Sequence, residues 1–411
     1  MRAKKCLSNE QYILLAYLLV CLSVAVLEGS RSFLISYLVS FAIICQPEFP
    51  LKVSSWIKKI FIGSVIIILI CLIFFIKSDS TWGRVLIYKL TIQMIRDNLW
   101  HGVGAGRFGM EYLEYQYRYF HDGKNTMKEL LLADNTKHAF NDYLQIWAEL
   151  GLLGFFFVVM SGILYIVLVR TLINIKPLST LNKIAAIQSM SIAIAALFTH
   201  VFEHTIFQIA FAISVSQMII SICISNRHIY YQILQVLSCL LIFWWALSDR
   251  ILNYQAYSTL SYAGNLQKMG YTTDALQTYE DIKADFMNNV IYLSGYAEAL
   301  HSQGKFLQEQ KILKHLTSID NASIFHIRLA RSFKRTGFDI LAEQEYIKSV
   351  YTVPNRFVPR QELMDFYISL GEREQALKVG FEILRLPVKI KSETTGRIIN
   401  ITKNRVLSLL K

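Results

Sequence analysis

HAFNDYLQIWAELGLLG, residues 138–154, is the stretch whose reading decides the fold. It begins polar, with His138, Asn141, Asp142 and Gln145 just after Lys137, and passes directly into the apolar run 151–169, GLLGFFFVVMSGILYIVLV. Such a junction predicts a helix that starts in water and continues into a bilayer, with its polar face at the boundary. Within one helix, Asn141 and Gln145 lie one and two turns along from His138, so the three share a face. A lone histidine at such a place is ordinarily a cap for a helix end. Here it stands among amides and a carboxylate.

Working outward, a helix needs about 20 apolar residues to cross the hydrocarbon core. Segments 12–27, 33–45, 60–76, 150–169, 184–198, 206–224 and 229–247 are candidates, which gives about seven crossings. The first two are short and meet at Glu28-Gly29-Ser30-Arg31-Ser32. A long polar interval, 78–148, separates the third from the fourth. Basic residues mark the cytoplasmic side of a membrane protein. Arg2, Lys4 and Lys5, then Lys52, Lys58 and Lys59, then Arg170, Lys176 and Lys183, then Arg227 and His228 all fall on one side of a seven-crossing chain. Arg31, the 78–148 interval and everything after residue 248 then face the periplasm. The net charge of +12 is in good part these flanking residues, and no nucleic-acid-binding motif accompanies it. The six cysteines lie in or beside apolar runs, with no disulfide framework and no Cys-x-x-Cys metal site.

The last third is organised differently. Gly270, Gly304, Gly337 and Gly371 are 34, 33 and 34 residues apart. Aligned on them, Ala263, Ala297 and Ala330 form one column and Ala275, Ala342 and Ala376 another, with Pro354 and Pro387 near repeat ends. A 34-residue period with Gly between two helices and Ala where they cross resembles the tetratricopeptide repeat. Stacked units bury a shared core that none could bury alone. The chain is therefore read as all-α, a membrane helix bundle followed by a tetratricopeptide-like solenoid. Its domains are a membrane domain at 1–250 that includes the 78–148 loop, repeats at 254–390, and a capping tail at 391–411.

Three stretches carry a further resemblance. Residues 138–154 resemble the signature of the O-antigen ligase, O-antigen polymerase and protein O-oligosaccharyltransferase superfamily, a His-Asn pattern followed by Leu-Gln, Glu-x-Gly and a membrane helix. Residues 83–109, GRVLIYKLTIQMIRDNLWHGVGAGRFG, resemble the segment just upstream, and EGSRSFL at 28–34 resembles the family's Ser-Arg turn. The matches come in the family's order. Two departures stand out: Phe140 occupies the place before Asn141 where many members have His, and one helix precedes the Ser-Arg turn where members have several. The resemblance implies that the remaining helices come from another polypeptide or a longer reading frame.

What the resemblance implies is a bacterial inner-membrane enzyme that moves a glycan from a polyprenyl pyrophosphate onto an acceptor hydroxyl of a lipid, a growing chain or a protein. Arg31 and Arg84 match the arginines that bind the pyrophosphate, and His138 matches, with a two-residue offset, the histidine that activates the hydroxyl. Guanidinium groups suit phosphate oxygens because they bond them in pairs. Asn141 and Gln145 are assigned to hold the histidine or a sugar. No metal or other cofactor is expected, and a protein partner is expected in the repeat groove. Gly102 to Gly106 is read as a tight turn, since a nucleotide loop needs a following Lys-Ser/Thr. His200-Val-Phe-Glu203-His204 fits an inverted-zincin pattern, but its place at a membrane helix end favours a polar lining of the same cavity. The alternative from another class is a non-catalytic membrane scaffold, a truncated relative whose repeats recruit envelope proteins.

Overall fold

A computed structural model describes residues 8–45, 78–123, 125–175, 178–223 and 254–411, and every regular element among them is helical. The chain divides into two compact units. The first comprises Met1–Thr81, Leu99–Gly102 and His138–Ile251, and the second Trp82–Asn98, Val103–Lys137 and Leu252–Lys411.

The described helices of the first unit are α1 (Asn9–Leu27), α2 (Arg31–Cys45), α6 (Asp142–Asn174), α7 (Thr180–Ala195) and α8 (Thr205–Cys223), with a 3₁₀ turn at Val201–Glu203. Ser8 opens α1 with a reciprocal capping box to Gln11. Three helices are long and apolar enough to cross a membrane, namely α1, α6 and α8, while α2 is apolar but shorter. The expected crossings at 60–76 and 229–247 lie outside the described residues. α2 and α7 pack through small polar residues: Ser36, Ser40, Ser189 and Ser191 are wholly buried. Ser36 and Ser191 return their hydroxyls to their own helix, at Ser32 O and Ile187 O, so burial strands neither donor. Small side chains let helices approach where lipid offers no hydrophobic driving force. At the other end of α7, Lys183 Nζ lies 3.6 Å from Glu10 Oε2, which sets the starts of α1 and α7 together.

The polar-to-apolar junction at 138–154 is broken in the structure. α6 begins at Asp142, capped by Asn141, and bends at Gly151, whose φ of 60° and ψ of −140° are not helical. A polar segment of about two turns therefore precedes the break, and the apolar crossing follows it. Gly151 sits against another glycine. A Cβ there would lie 2.5 Å from Gly102 N, and a Cβ on Gly102 would lie 2.2 Å from Glu149 O. The turn expected at 102–106 thus starts with a residue that must be glycine, because backbone meets backbone.

In the second unit, α3 (Ser78–Asp97, mostly within it), α4 (Phe108–His121) and α5 (Met127–Leu132) come from the polar interval. The C-terminal helices follow as hairpins: α9 (Tyr254–Lys268) with α10 (Thr272–Asp281), then the short α11 (Lys283–Phe286), α12 (Val290–Ser302) with α13 (Phe306–Ile319), α14 (Ser323–Arg335) with α15 (Asp339–Thr352), and α16 (Phe357–Leu370) with α17 (Arg373–Arg385). Gly270, Gly304, Gly337 and Gly371 stand at the four hairpin turns, each with φ between 70° and 90°. The six aligned alanines are all completely buried, and one continuous core runs from Leu260 to Val406. α18 (Glu393–Leu410) closes the stack. Its Val406 packs where Gly380 has no side chain, since a Cβ on Gly380 would fall 2.6 Å from Val406 Cγ2.

The sequence boundary had assigned the whole interval 78–148 to the membrane domain. In the structure 82–98 and 103–137 group with the hairpins instead. The reason lies in how α4 is bonded. Gln116, wholly buried, donates to the carbonyls of Thr352 and Asp134. Asn355 donates to Leu131 O and Ala133 O at 3.0 and 2.7 Å, Glu114 meets Lys348 at 2.8 Å, and Lys137 meets Asp320 at 3.1 Å. The interval carries polar groups that need partners and apolar faces that need a water-side core, and the hairpins supply both.

Candidate active site

The site is built at one end of the first unit. Asn141 leaves the extended conformation to start α6, and its Oδ1 accepts from Leu144 N at 3.0 Å. Phe140, just before it, has φ 54°, the one positive φ outside glycine among the described residues. That conformation costs about 1–3 kcal/mol for a bulky residue and persists where its surroundings impose it. Here the Phe140 ring stands edge-on to His200, with centroids 5.4 Å apart. His138 therefore precedes the helix. The expectation that His138, Asn141 and Gln145 share a helical face is corrected: Asn141 is a strong N-cap, and capping ends the helix at that residue.

Gln145 still reaches the histidine's segment. Its Oε1 accepts from Ala139 N at 3.1 Å, which fixes the backbone next to His138, and its Nε2 donates to Glu149 Oε1 at 3.2 Å. Gln145 and Asn141 thus spend their carbonyl oxygens on shaping the segment.

His138 stacks on His200, ring centroids 4.5 Å apart and planes 11° from parallel. Its Nδ1 is buried, and Glu203 Oε1 lies 3.2 Å away in a contact that lacks hydrogen-bond direction. With Nδ1 buried and the side chain 28% exposed, Nε2 is the nitrogen left open. Glu203 ends the turn Val201–Glu203, and that turn is tied to the start of α6: Phe202 N donates to Asp142 Oδ2 at 3.0 Å, and Asp142 N donates to Ala196 O at 2.9 Å. Asp142 is 5% exposed, so its carboxylate is committed to this backbone.

Arg31 opens α2 at the same end. Two residues on, Phe33 stacks on Phe207 at 4.8 Å, and Phe207 meets the ring of His204 at 6.2 Å. Arg31 forms no ion pair with any described residue and is half-buried. This end of the unit is opposite the Lys183–Glu10 end, because α7 runs between them. Arg84 belongs to the second unit, on α3, one turn before Tyr88 and in electrostatic reach of it. His200 and His204 flank a 3₁₀ turn in place of sharing an α-helix, with ring centroids 5.5 Å apart. Among the described residues no three His, Cys, Asp or Glu groups converge as a metal-binding set.

In the sequence His200 and Glu203 are legible only as a rival motif and cavity lining, and Asp142 only as part of a polar run. The only signal for Asp142 was its place beside a capping Asn, which is common at helix starts.

Residues 16–159, less than half of the chain, match the O-antigen ligase family. This region supports a ligase-like glycan transfer as the class of activity, and with the apolar spans it makes the chain a membrane protein. No curated protein matches the chain by sequence. Among solved structures, one described as "Crystal structure of MamA" is 12% identical, covering 41% of this chain and 90% of that one with a TM-score of 0.30. A likeness that slight carries no argument.

Proposed function

With an O-antigen ligase region at residues 16–159 as premise, we propose that the chain is an inner-membrane transferase that moves a polyprenyl-pyrophosphate-linked glycan onto an acceptor hydroxyl on the periplasmic side. The observation that carries this is His138. One ring nitrogen is buried beside a carboxylate and the other is open, at the same bundle end as Arg31. That is the disposition a general base needs: a fixed ring and a free lone pair.

In the step proposed, the acceptor O–H gives its proton to Nε2 of His138 as its oxygen bonds to the anomeric carbon of the donor sugar. The bond from that carbon to the pyrophosphate oxygen breaks, and the electron pair leaves with the polyprenyl pyrophosphate. Arg31 and Arg84 neutralise the charge gathering on the leaving group, a stabilisation that is strongest where the donors are set in advance. The proton then passes from His138 to water. Nothing in this step calls for a metal. The basic flank of the bundle, with Lys183 at the end opposite Arg31, supports a periplasmic site by the positive-inside rule. The tetratricopeptide-like hairpins have a second role in this reading. They hold α4 and α5, and thereby the segment that follows Arg84.

The test is transfer from a synthetic polyprenyl-pyrophosphate oligosaccharide in nanodiscs, in the presence of chelator. His138→Ala should lower the rate by about 10²–10⁴ while donor binding is kept. Arg84→Ala should weaken donor binding as well as rate, and Arg84→Lys should restore only part of it, because an ammonium lacks the guanidinium fork. Equal transfer by His138→Ala would remove the base assignment.

A further inference from the structure

The transferase reading assigns His138 its role but not the means by which a residue outside any helix keeps its ring aligned. Backbone ties reach only its neighbours, Ala139 through Gln145 and Asn141 through the cap. The ring itself is touched by two residues of the segment after α7, His200 on its face and Glu203 at its edge. That segment is anchored to the start of α6 by the buried Asp142 carboxylate, which accepts from Phe202 N and Val201 N, supported by Asp142 N on Ala196 O.

We propose that Asp142 and Glu203 are positioning residues for His138: Asp142 fixes the Val201–Glu203 turn, and Glu203 selects the ring tautomer. The proposal rests on the transferase reading for its consequence but not for its geometry. Nδ1 faces the Glu203 carboxylate at 3.2 Å and has no other acceptor among the described residues. A carboxylate accepts only, so it favours the proton on Nδ1 and leaves the lone pair on Nε2. Nε2 is the open nitrogen, the one an acceptor hydroxyl can reach. A free imidazole has no such constraint, and in the other tautomer the open nitrogen carries a proton and cannot act as a base. Glu203 is exposed enough to turn into hydrogen-bond alignment, and His200 stacked at 4.5 Å keeps the His138 ring from following it. Asp142 is needed because a three-residue 3₁₀ turn has too few internal bonds to hold its own place. Its Oδ2 reaches across from a different helix.

The experiment reads the tautomer directly. Full-length protein labelled with ¹⁵N-histidine in nanodiscs gives ring nitrogen spectra, with the His138 signals identified by their loss in His138→Ala. Wild-type protein should have His138 protonated at Nδ1. Glu203→Ala should shift it toward the Nε2-protonated form and lower kcat by about ten- to a hundredfold, the order seen for partners that orient metal-bound histidines, with KM for the donor unchanged. Glu203→Gln should recover part of both, since the amide oxygen still accepts. Asp142→Ala should reproduce Glu203→Ala, whereas Asp142→Asn, which keeps an acceptor for Phe202 N, should stay near wild type. A His138 tautomer unchanged in folded Glu203→Ala overturns the proposal, even if His138→Ala is inactive. A shifted tautomer with fully active His138→Ala upholds the positioning and sinks the transferase reading instead.

Discussion

The two units of this protein place their large apolar side chains differently. In the first, the crossing segments turn their large apolar side chains outward: Leu19, Leu27, Leu153, Phe157 and Leu164 are each more than half exposed, and only 11% of each candidate span is buried. These helices bury Leu14, Leu172, Ile187 and Met218 as well, and beside them small or polar groups such as Ser36, Ser40, Ser189, Ser191 and Asp142. In the second, Leu293, Leu313, Leu316, Tyr292 and Tyr346 are inside with 2% exposure or less. The difference follows from the solvent. Lipid does not drive Leu inward, so close packing of small residues and satisfied hydrogen bonds must hold helices together. Water does drive it, and the hairpins share one apolar core for that reason.

The glycines sharpen the contrast and make it testable. Gly102 and Gly151 have positive φ and also face backbone at 2.5 Å or less, while Gly304 has the same sign of φ with nothing within 4 Å. Gly151→Ala or Gly102→Ala adds left-handed strain to a collision with a backbone that cannot give. A loss of about 2–6 kcal/mol is expected, read as failure to recover folded protein in detergent. Wild-type thermal stability in Gly151→Ala would break the comparison. Gly304→Ala carries strain alone, and about 1–2 kcal/mol is expected, read as a modest drop in the unfolding temperature of the whole protein.

The smallest effect expected is electrostatic. Burial raises the Glu129 carboxyl, but hydrogen bonds from Lys89, Thr126 and Tyr119 outweigh it and bring the pKa down to about 2. A carboxyl lowered in the folded state adds stability above its unfolded value of about 4.5, and that stability is lost as pH falls toward 2. Glu129→Gln should flatten the acid limb of a stability–pH curve over that window and cost no more than about 1 kcal/mol at neutral pH. An acid limb unchanged by the substitution would show that the Lys89–Glu129 contact is idle.

Much of this was legible from residues alone, and some was not. The 34-residue glycine spacing located all four hairpin turns, and the two alanine columns located wholly buried positions, because a repeat imposes the same packing at each copy. Two positions depart from the columns: Met364 fills the fourth place of the first and is wholly buried, and in the second repeat Glu309 takes the place of the second alanine, is 3% exposed, and sits 3.0 Å from His301. The apolar runs gave the starts of α1, α2 and α8 to within three residues. The break at Gly151 was hidden, since a single glycine in an apolar run is usually tolerated within a helix. Its necessity came from Gly102, 49 positions earlier in the sequence.

What the sequence by itself determined is the set of local properties: which segments are apolar enough to leave water, where hairpins turn, and that His138, Arg31 and Arg84 belong to stretches resembling one family. Periodicity and side-chain chemistry are properties of neighbours in the chain, so they can be read there. Tertiary structure alone decided which unit received residues 103–137, and which groups surround His138. Glu203 lies 65 residues from His138 in the chain and 3.2 Å from it in space, set there by a carboxylate, Asp142, that the sequence offered only as one more polar residue at the start of a helix. Such contacts depend on how separate helices pack, and no local pattern encodes them.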